Sequence, residues 1–313
     1  MKFGEINKNL EEKITDLNSQ IWENKLGVPT IDEWLNNFKE EEKIMGLHLL
    51  ANFLYYNEMD IKSLCKTLCS TFYRYAIFEK ITASLKKDEN DWEIIENIFK
   101  EKLKRTRFLG IGNPSESGWH ILYYFRQENS LPLNPFNQLF EVEQRFEENG
   151  DIDIVVLIDD FIGTGSQAKK FWNYLNKKES NILKCKNIYY LSLFGTASGI
   201  KEIENNTSLQ VHVAEVFDES YKCFSTTSYV INDDAKKKAW EIICQSYGEK
   251  LYPVDDYGAH PLGFNDSQLL VGFHHNIPNN TLPIIWSDNN WIPIFMRKDK
   301  IYNFKEFRKD QNE

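Results

Sequence analysis

The string VVLIDDFIGTGSQA occupies residues 155–168, and its residue types can hold a phosphorylated, hydroxyl-bearing ligand. Glycines let a backbone turn sharply and gather several N–H groups on one point. Gly163, Thr164, Gly165, Ser166 and Gln167 therefore read as an anion loop, in which Thr164 and Ser166 add hydroxyl donors. A helix beginning at Ala168 would add its positive amino end, which favours phosphate. Asp159 and Asp160 cannot serve that same phosphate, because like charges repel. Carboxylates accept hydrogen bonds, so the pair suits sugar hydroxyls or a hydrated metal ion. One ligand satisfies both halves: a ribose 5-phosphate, with its diol on the Asp pair and its phosphate in the loop.

Position supports this chemistry. Residues 155–158 are a short, apolar, β-branched run, the pattern of a buried parallel strand, and the Asp pair follows at its carboxyl end. Ligands of open α/β sheets bind outside the carboxyl ends of the strands. Three other readings compete. An ordinary strand with a polar turn would leave the adjacent acids and the three small residues unexplained. A Walker B strand also ends in Asp, but the chain has no G-x-x-x-x-G-K-[ST] loop. Gly163, Gly165 and Ala168 have the G-x-G-x-x-A spacing of a dinucleotide fingerprint, yet here the acids precede the glycines. The next strand ends in Ser192-Leu193-Phe194-Gly195, without the acid that fingerprint needs.

The rest of the chain supplies a frame. Residues 1 to about 104 carry helical spacing. Thr30-Ile31-Asp32-Glu33 reads as a capping box opening a helix through Trp34, Leu35 and Phe38. Ile61, Leu64, Leu68, Phe72 and Tyr75 form one apolar stripe, and Trp92, Ile95, Ile98 and Phe99 another. Residues 40–43 read as a solvated turn. Near Arg107 the pattern changes to strand 108–111, a small-residue loop 112–118 and a helix from Trp119, a second strand–loop–helix unit upstream of the Asp pair. Strands at 188–194 and 209–217 alternate with helical segments, so the sheet is parallel and the Asp-bearing strand sits near its middle. The tail, 258–297, clusters Asn and Pro between short apolar runs and reads as ordered loop. Its Asn side chains can meet a base edge or brace turns. His274 and His275 can supply acid–base chemistry or serve structure, and no H-x-x-x-H spacing marks a zinc site.

The chain has 313 residues, with 47 acidic against 37 basic ones and a net charge of -10. That balance counts against direct nucleic-acid binding as its main work. Hydrophobic residues at 42% supply a real core. Five cysteines without metal spacing read as core fillers of a reducing cytosol. With no apolar run approaching ~20 residues, the expected location is cytoplasmic, away from membranes.

The acid pair followed by a Gly/Thr loop resembles the phosphoribosyl-diphosphate (PRPP) motif of type I phosphoribosyltransferases. Gly163 stands where that family often has Thr, and Gln167 where its loop often closes with Thr. The resemblance implies that Asp159 and Asp160 bind the ribose hydroxyls and carry catalysis. It also implies that 163–167 holds the 5-phosphate and that Ser117 and Gly118 belong to a diphosphate loop. Mg²⁺ is implied as a cofactor, arriving through PRPP or a nucleotide rather than on direct protein ligands. Taken with the S-E-S-G loop and the H-N-I-P-N-N-T-L-P-I-I-W tail, the chain resembles phosphoribosyltransferase-like proteins of bacterial conflict and anti-phage defence loci, some of them retrons. The expected fold is an α/β parallel sheet flanked by helices. Residues 1–104 would form a helical region and 105–313 the α/β domain. A loop-rich hood at about 250–300 would bring His275, Asn276, Asn279 and Asn280 to the base. The implied activity is transfer or cleavage at a ribosyl N-glycosidic bond. The alternative is an inactive phosphoribosyl-ligand sensor that regulates a partner protein, such as a reverse transcriptase complex.

Overall fold

The computed structural model describes residues 3–85, 91–111, 117–148, 151–252, 254 and 258–297. In chain order the elements are α1 (Phe3–Gln20), α2 (Val28–Leu35), α3 (Lys43–Leu50), β1 (Leu54–Tyr56), α4 (Glu58–Thr67), a π-helical segment (Leu68–Arg74), α5 (Tyr75–Ser84), α6 (Trp92–Lys104), β2 (Thr106–Gly110), α7 (Ser117–Glu128), α8 (Leu139–Glu148), β3 (Ile154–Ile162), α9 (Ser166–Lys177), β4 (Asn187–Thr196), α10 (Ala197–Asn206), β5 (Gln210–Phe217), α11 (Asp234–Leu251), β6 (Val271–Phe273) and α12 (Pro283–Trp286). They fall into two compact units, 56–234 and 1–55 with 235–313.

In the 56–234 unit, β2, β3, β4 and β5 lie side by side in that order, every pair parallel. β3 is an interior strand, as its uninterrupted apolar run requires: strands covered on both faces need no polar alternation. Residues 155–158 are completely buried. On one face Val155, Leu157 and Tyr190 pack against Val142 of α8, Ala168 and Leu175 of α9 and Ile203 of α10. On the other, the rings of Tyr73 and of Phe125 from α7 meet Phe108 of β2 at 5.1 and 5.5 Å. Tyr73 also donates from its hydroxyl to Thr106 Oγ1 at 3.0 Å.

The expected stripe is buried at Ile61 and Leu68 but departs at its end, Tyr75. The π-helical segment adds a residue to the turn and rotates the face. Ile61, Leu68 and Tyr73 go inside, and Tyr75 is left exposed. These contacts tie residues 56–104 to the sheet, so neither boundary of the compact units coincides with the expected one near residue 104.

In the other unit a Trp34 N–H ties α2 to the tail, and two tryptophan N–H groups brace the tail itself. Trp34 and Trp291 both donate to the Ile284 carbonyl, at 2.8 and 2.9 Å, and Trp286 donates to Thr281 O at 2.8 Å. Leu54 N–H donates to Leu270 O, where β1 approaches its sheet partner β6. Two local expectations change. The helix of Trp34 starts at Val28, two residues before Thr30. Extended Gly27 takes the cap position, no side chain caps it, and a proline stands in the first turn, where a missing N–H costs nothing. Residues 40–42 form a short 3-10 helix in place of a solvated turn. Glu42 is buried there, accepting from Tyr247 Oη at 2.6 Å and Lys39 N at 3.1 Å. Among the described residues no helix is long and apolar enough to cross a membrane, and all five cysteines are free.

Gly248 lies inside α11, where alanine would ordinarily gain ~1 kcal/mol. A Cβ there would stand 1.8 Å from the Pro261 carbonyl oxygen, which is backbone and cannot swing away. Gly248→Ala is therefore expected to lower stability by ~1–3 kcal/mol in urea unfolding, and a stabilised variant would contradict this packing.

Candidate functional site

The strand bearing the acids runs on past them. Asp159 pairs in register with Ser192, and the ladder continues through Phe161 with Phe194 and Ile162 with Gly195. A strand ending at residue 158 was expected because two carboxylates look like a terminus. Tertiary contacts reverse that expectation at Asp159, which is only 3% exposed. Its Oδ2 accepts from Tyr190 Oη at 2.6 Å and its Oδ1 from the Asp160 amide at 3.0 Å. Burial first, and then the Asp160 charge, hold the Asp159 carboxyl well above its ordinary 3.8. Burial and the Asp159 charge likewise push the Tyr190 phenol up, so it keeps its proton and donates it. Asp160 is half-buried and is the more accessible carboxylate of the two.

After Ile162 the chain turns through Gly163, Thr164 and Gly165 into α9. Gly165 is the cap residue, at φ 74°, and has no side chain to occupy the amides of the first turn. Those of Ser166, Gln167 and Ala168 head the helix, the arrangement that binds anions. Thr164 Oγ1 donates to Ser166 Oγ at 2.9 Å. Ser166 and Gln167 are exposed, while Gly163 and Thr164 are half-buried.

This loop is gripped by the next strand–loop–helix unit. Thr196, which ends β4, donates from Oγ1 to the Gly163 carbonyl at 2.5 Å and accepts from Gly199 N at 2.9 Å. A Cβ on Gly199 would sit 2.1 Å from Gly163 O, and one on Gly165 would sit 2.7 Å from Gly199 O. Lys169 of α9 pairs with Glu202 of α10 across the same junction. Neither Tyr190, Thr196 nor Gly199 was expected as a site residue. Thr196-Ala197-Ser198-Gly199 follows its strand as 163–166 follows β3, and that parallel was the available signal. Tyr190 gives none, being one apolar residue among many in its strand.

Of the earlier loop, residues 112–116 lie outside the described residues, as does the Ser117 side chain. Gly118 is buried against the sheet: a Cβ there would meet Ile111 O at 2.6 Å and Ile158 O, one residue before Asp159, at 3.4 Å. The structure thus gathers Gly118 with 159–167. His275, Asn276, Asn279 and Asn280 belong to the other compact unit. There Asn280 is buried and donates to Ser267 Oγ at 2.6 Å. Asn279 donates to Tyr252 Oη at 3.2 Å, and Asn276 Oδ1 accepts from Ile277 N at 2.9 Å. These three amides brace loop backbone and neighbours, and His275 stacks on Phe273 with ring centres 5.6 Å apart.

The model of the PRTase-CE family matches residues 31–297 of the chain. No curated protein matches it. Among solved structures the chain is similar to a hypoxanthine-guanine-xanthine phosphoribosyltransferase at 13% identity, over 53% of this chain and 79% of that one, with a TM-score of 0.25.

A carboxyl raised on folding keeps a proton that the unfolded chain has released, so its contribution to stability falls as pH rises above 3.8 toward the raised value. Asp159→Asn removes that loss. The melting temperature of the variant relative to the parent is expected to climb between about pH 4 and neutrality, whereas parallel profiles would contradict a buried, raised Asp159.

Proposed function

Because the chain belongs to the PRTase-CE family, we propose that it binds PRPP or a nucleotide with Mg²⁺ and acts on the ribosyl anomeric carbon. The observation that carries this reading is the amino end of α9, where Gly165 offers no side-chain cap and only the Ser166 amide meets a side chain, Thr164 Oγ1 at 3.4 Å, five residues beyond the half-buried Asp160. The 5-phosphate would take the Ser166–Ala168 amides and the Thr164 and Ser166 hydroxyls. A phosphate at a helix amino end gains ~0.3–1 kcal/mol from the dipole, beyond its direct hydrogen bonds. Asp160 would accept from the ribose hydroxyls, and Gly118, in the first turn of α7, would lie by the diphosphate.

Mg²⁺ would come on the ligand, as the family resemblance of the sequence implies. Asp160 offers the hard oxygen that a hydrated ion takes. Carried on the ligand, the ion would neutralise charge on the leaving diphosphate. The bond from the anomeric carbon to diphosphate breaks as a bond to a base nitrogen, or to water, forms. The residues mainly position the sugar for an oxocarbenium-like transition state.

One observation favours a second reading. The Asp159 carboxyl is already taken by Tyr190, which leaves a ribose diol one accessible carboxylate. A catalytically inactive sensor that binds the same ligand and regulates a partner needs no more than that. The proposed setting is cytoplasmic and antiviral, with a defence-system protein such as a reverse transcriptase complex as partner. It rests on the family resemblance of the sequence, not on the geometry.

Calorimetry with PRPP and Mg²⁺, run beside an assay for released diphosphate, separates the readings. Binding with turnover is the enzyme, and binding without it the sensor. Gly165→Ala, which places a side chain at positive φ and against Gly199 O, is expected to weaken binding about tenfold or more, and Asp160→Asn to weaken it similarly. Unchanged affinity in both folded variants would overturn the site.

A further inference from the structure

A cavity of about 250 Å³ lies within the 56–234 unit, at the end of the sheet away from the 159–167 loop. Ile154 and Asn187, the first residues of β3 and β4, line it together with residues of α5 and α6. Ile77, Ile81 and Ile154, all buried, make part of its wall apolar. Three lysines, Lys80, Lys102 and Lys186, share the lining with one carboxylate, Asp153.

The charges there do not balance. Arg105 holds both oxygens of Asp153, with Nη2 3.0 Å from Oδ1 and Nε 2.8 Å from Oδ2. Lys102 reaches that same Oδ2 only at 3.9 Å. Lys80 donates to Asn187 Oδ1 at 2.7 Å and to Tyr189 Oη at 2.8 Å, and its Nζ lies 5.2 Å from the Tyr189 ring centre. Both partners belong to β4, so this ammonium is held in place by neutral groups of the sheet. Among the described residues neither Lys80 nor Lys186 has a carboxylate within ion-pair distance. In a chain of net charge -10, three cations thus line one cavity whose single acid is already bound by a fourth.

Like charges around one cavity repel, and an anion between them relieves that repulsion. Beside an apolar wall the attraction is stronger than in open water. The volume lies just below that of most ligand sites, which suits an anion of few atoms and high charge. Phosphate oxygens accept readily from lysine ammonium groups, and two joined phosphates bring more charge to three lysines than one does. We propose that this cavity is a second anion site that takes a diphosphate group, free or at the end of a nucleotide. Its lining shares no residue with the 159–167 loop, so it stands or falls independently of the ribose-phosphate site.

The test is calorimetry on the full chain with inorganic diphosphate and with ADP, without Mg²⁺ or PRPP. At least one is expected to bind, equally well to Asp160→Asn, and more weakly as NaCl is raised. Lys80→Gln combined with Lys186→Gln should weaken it about tenfold or more. Both side chains are exposed, so the melting temperature of the paired variant should stay close to the parent's, which separates lost binding from lost fold. Tighter binding of diphosphate than of ADP would mark the free anion as the occupant, and the reverse the nucleotide end; either supports the site. No binding of either, binding untouched by the paired substitution, or binding abolished by Asp160→Asn would overturn the proposal.

Discussion

The geometry of the candidate site depends on one contact, the approach of two loops at the carboxyl ends of β3 and β4. The Thr196 hydroxyl donates to Gly163 O, accepts from Gly199 N and also meets Ser198 Oγ at 3.2 Å. It therefore caps α10 and ties down the loop that opens α9. Glycines at 165 and 199 are what let the backbones come this close. A loop held in this way enters binding already shaped, and pre-organisation of that kind raises affinity by lowering the ordering cost. Were either glycine to carry a side chain, the α9 amides would have to turn away from where a phosphate could meet them.

The acid pair shows a division that its two identical residues conceal. Asp159 is buried and bonded to Tyr190, whereas Asp160, also within β3, is half-buried. A carboxyl taken out of water rises in pKa and needs donors, and Asp159 has found them within the sheet. It acts as a brace for β3 against β4. Under the proposed reading a sugar would meet Asp160, the more accessible of the two.

Much of this was legible in the sequence where the determinants are local. An apolar run, two acids and a glycine loop locate strand, turn and helix in one 14-residue string, because burial on both faces and left-handed backbone leave compositional traces. The strand end was misjudged because the partner that carries Asp159 into the sheet, Tyr190, is 31 residues away. The unit boundaries were hidden for the same reason at larger scale: Trp34 reaches the Ile284 carbonyl across 250 residues, and no window of sequence shows such a bond. The start of α2 failed locally, since Thr30 had the right neighbours for a cap but a proline in the preceding turn had already opened the helix.

The central claim is that phosphate meets the backbone amides between Gly165 and Ala168. Amide spectra of the ¹⁵N-labelled protein, recorded as PRPP and Mg²⁺ are added, test it most directly. The account predicts that the Gly165, Ser166, Gln167 and Ala168 resonances move furthest and saturate together, with Gly199 following through its contact with the loop. Saturable shifts elsewhere with these amides unmoved, or no shifts at all, would contradict it.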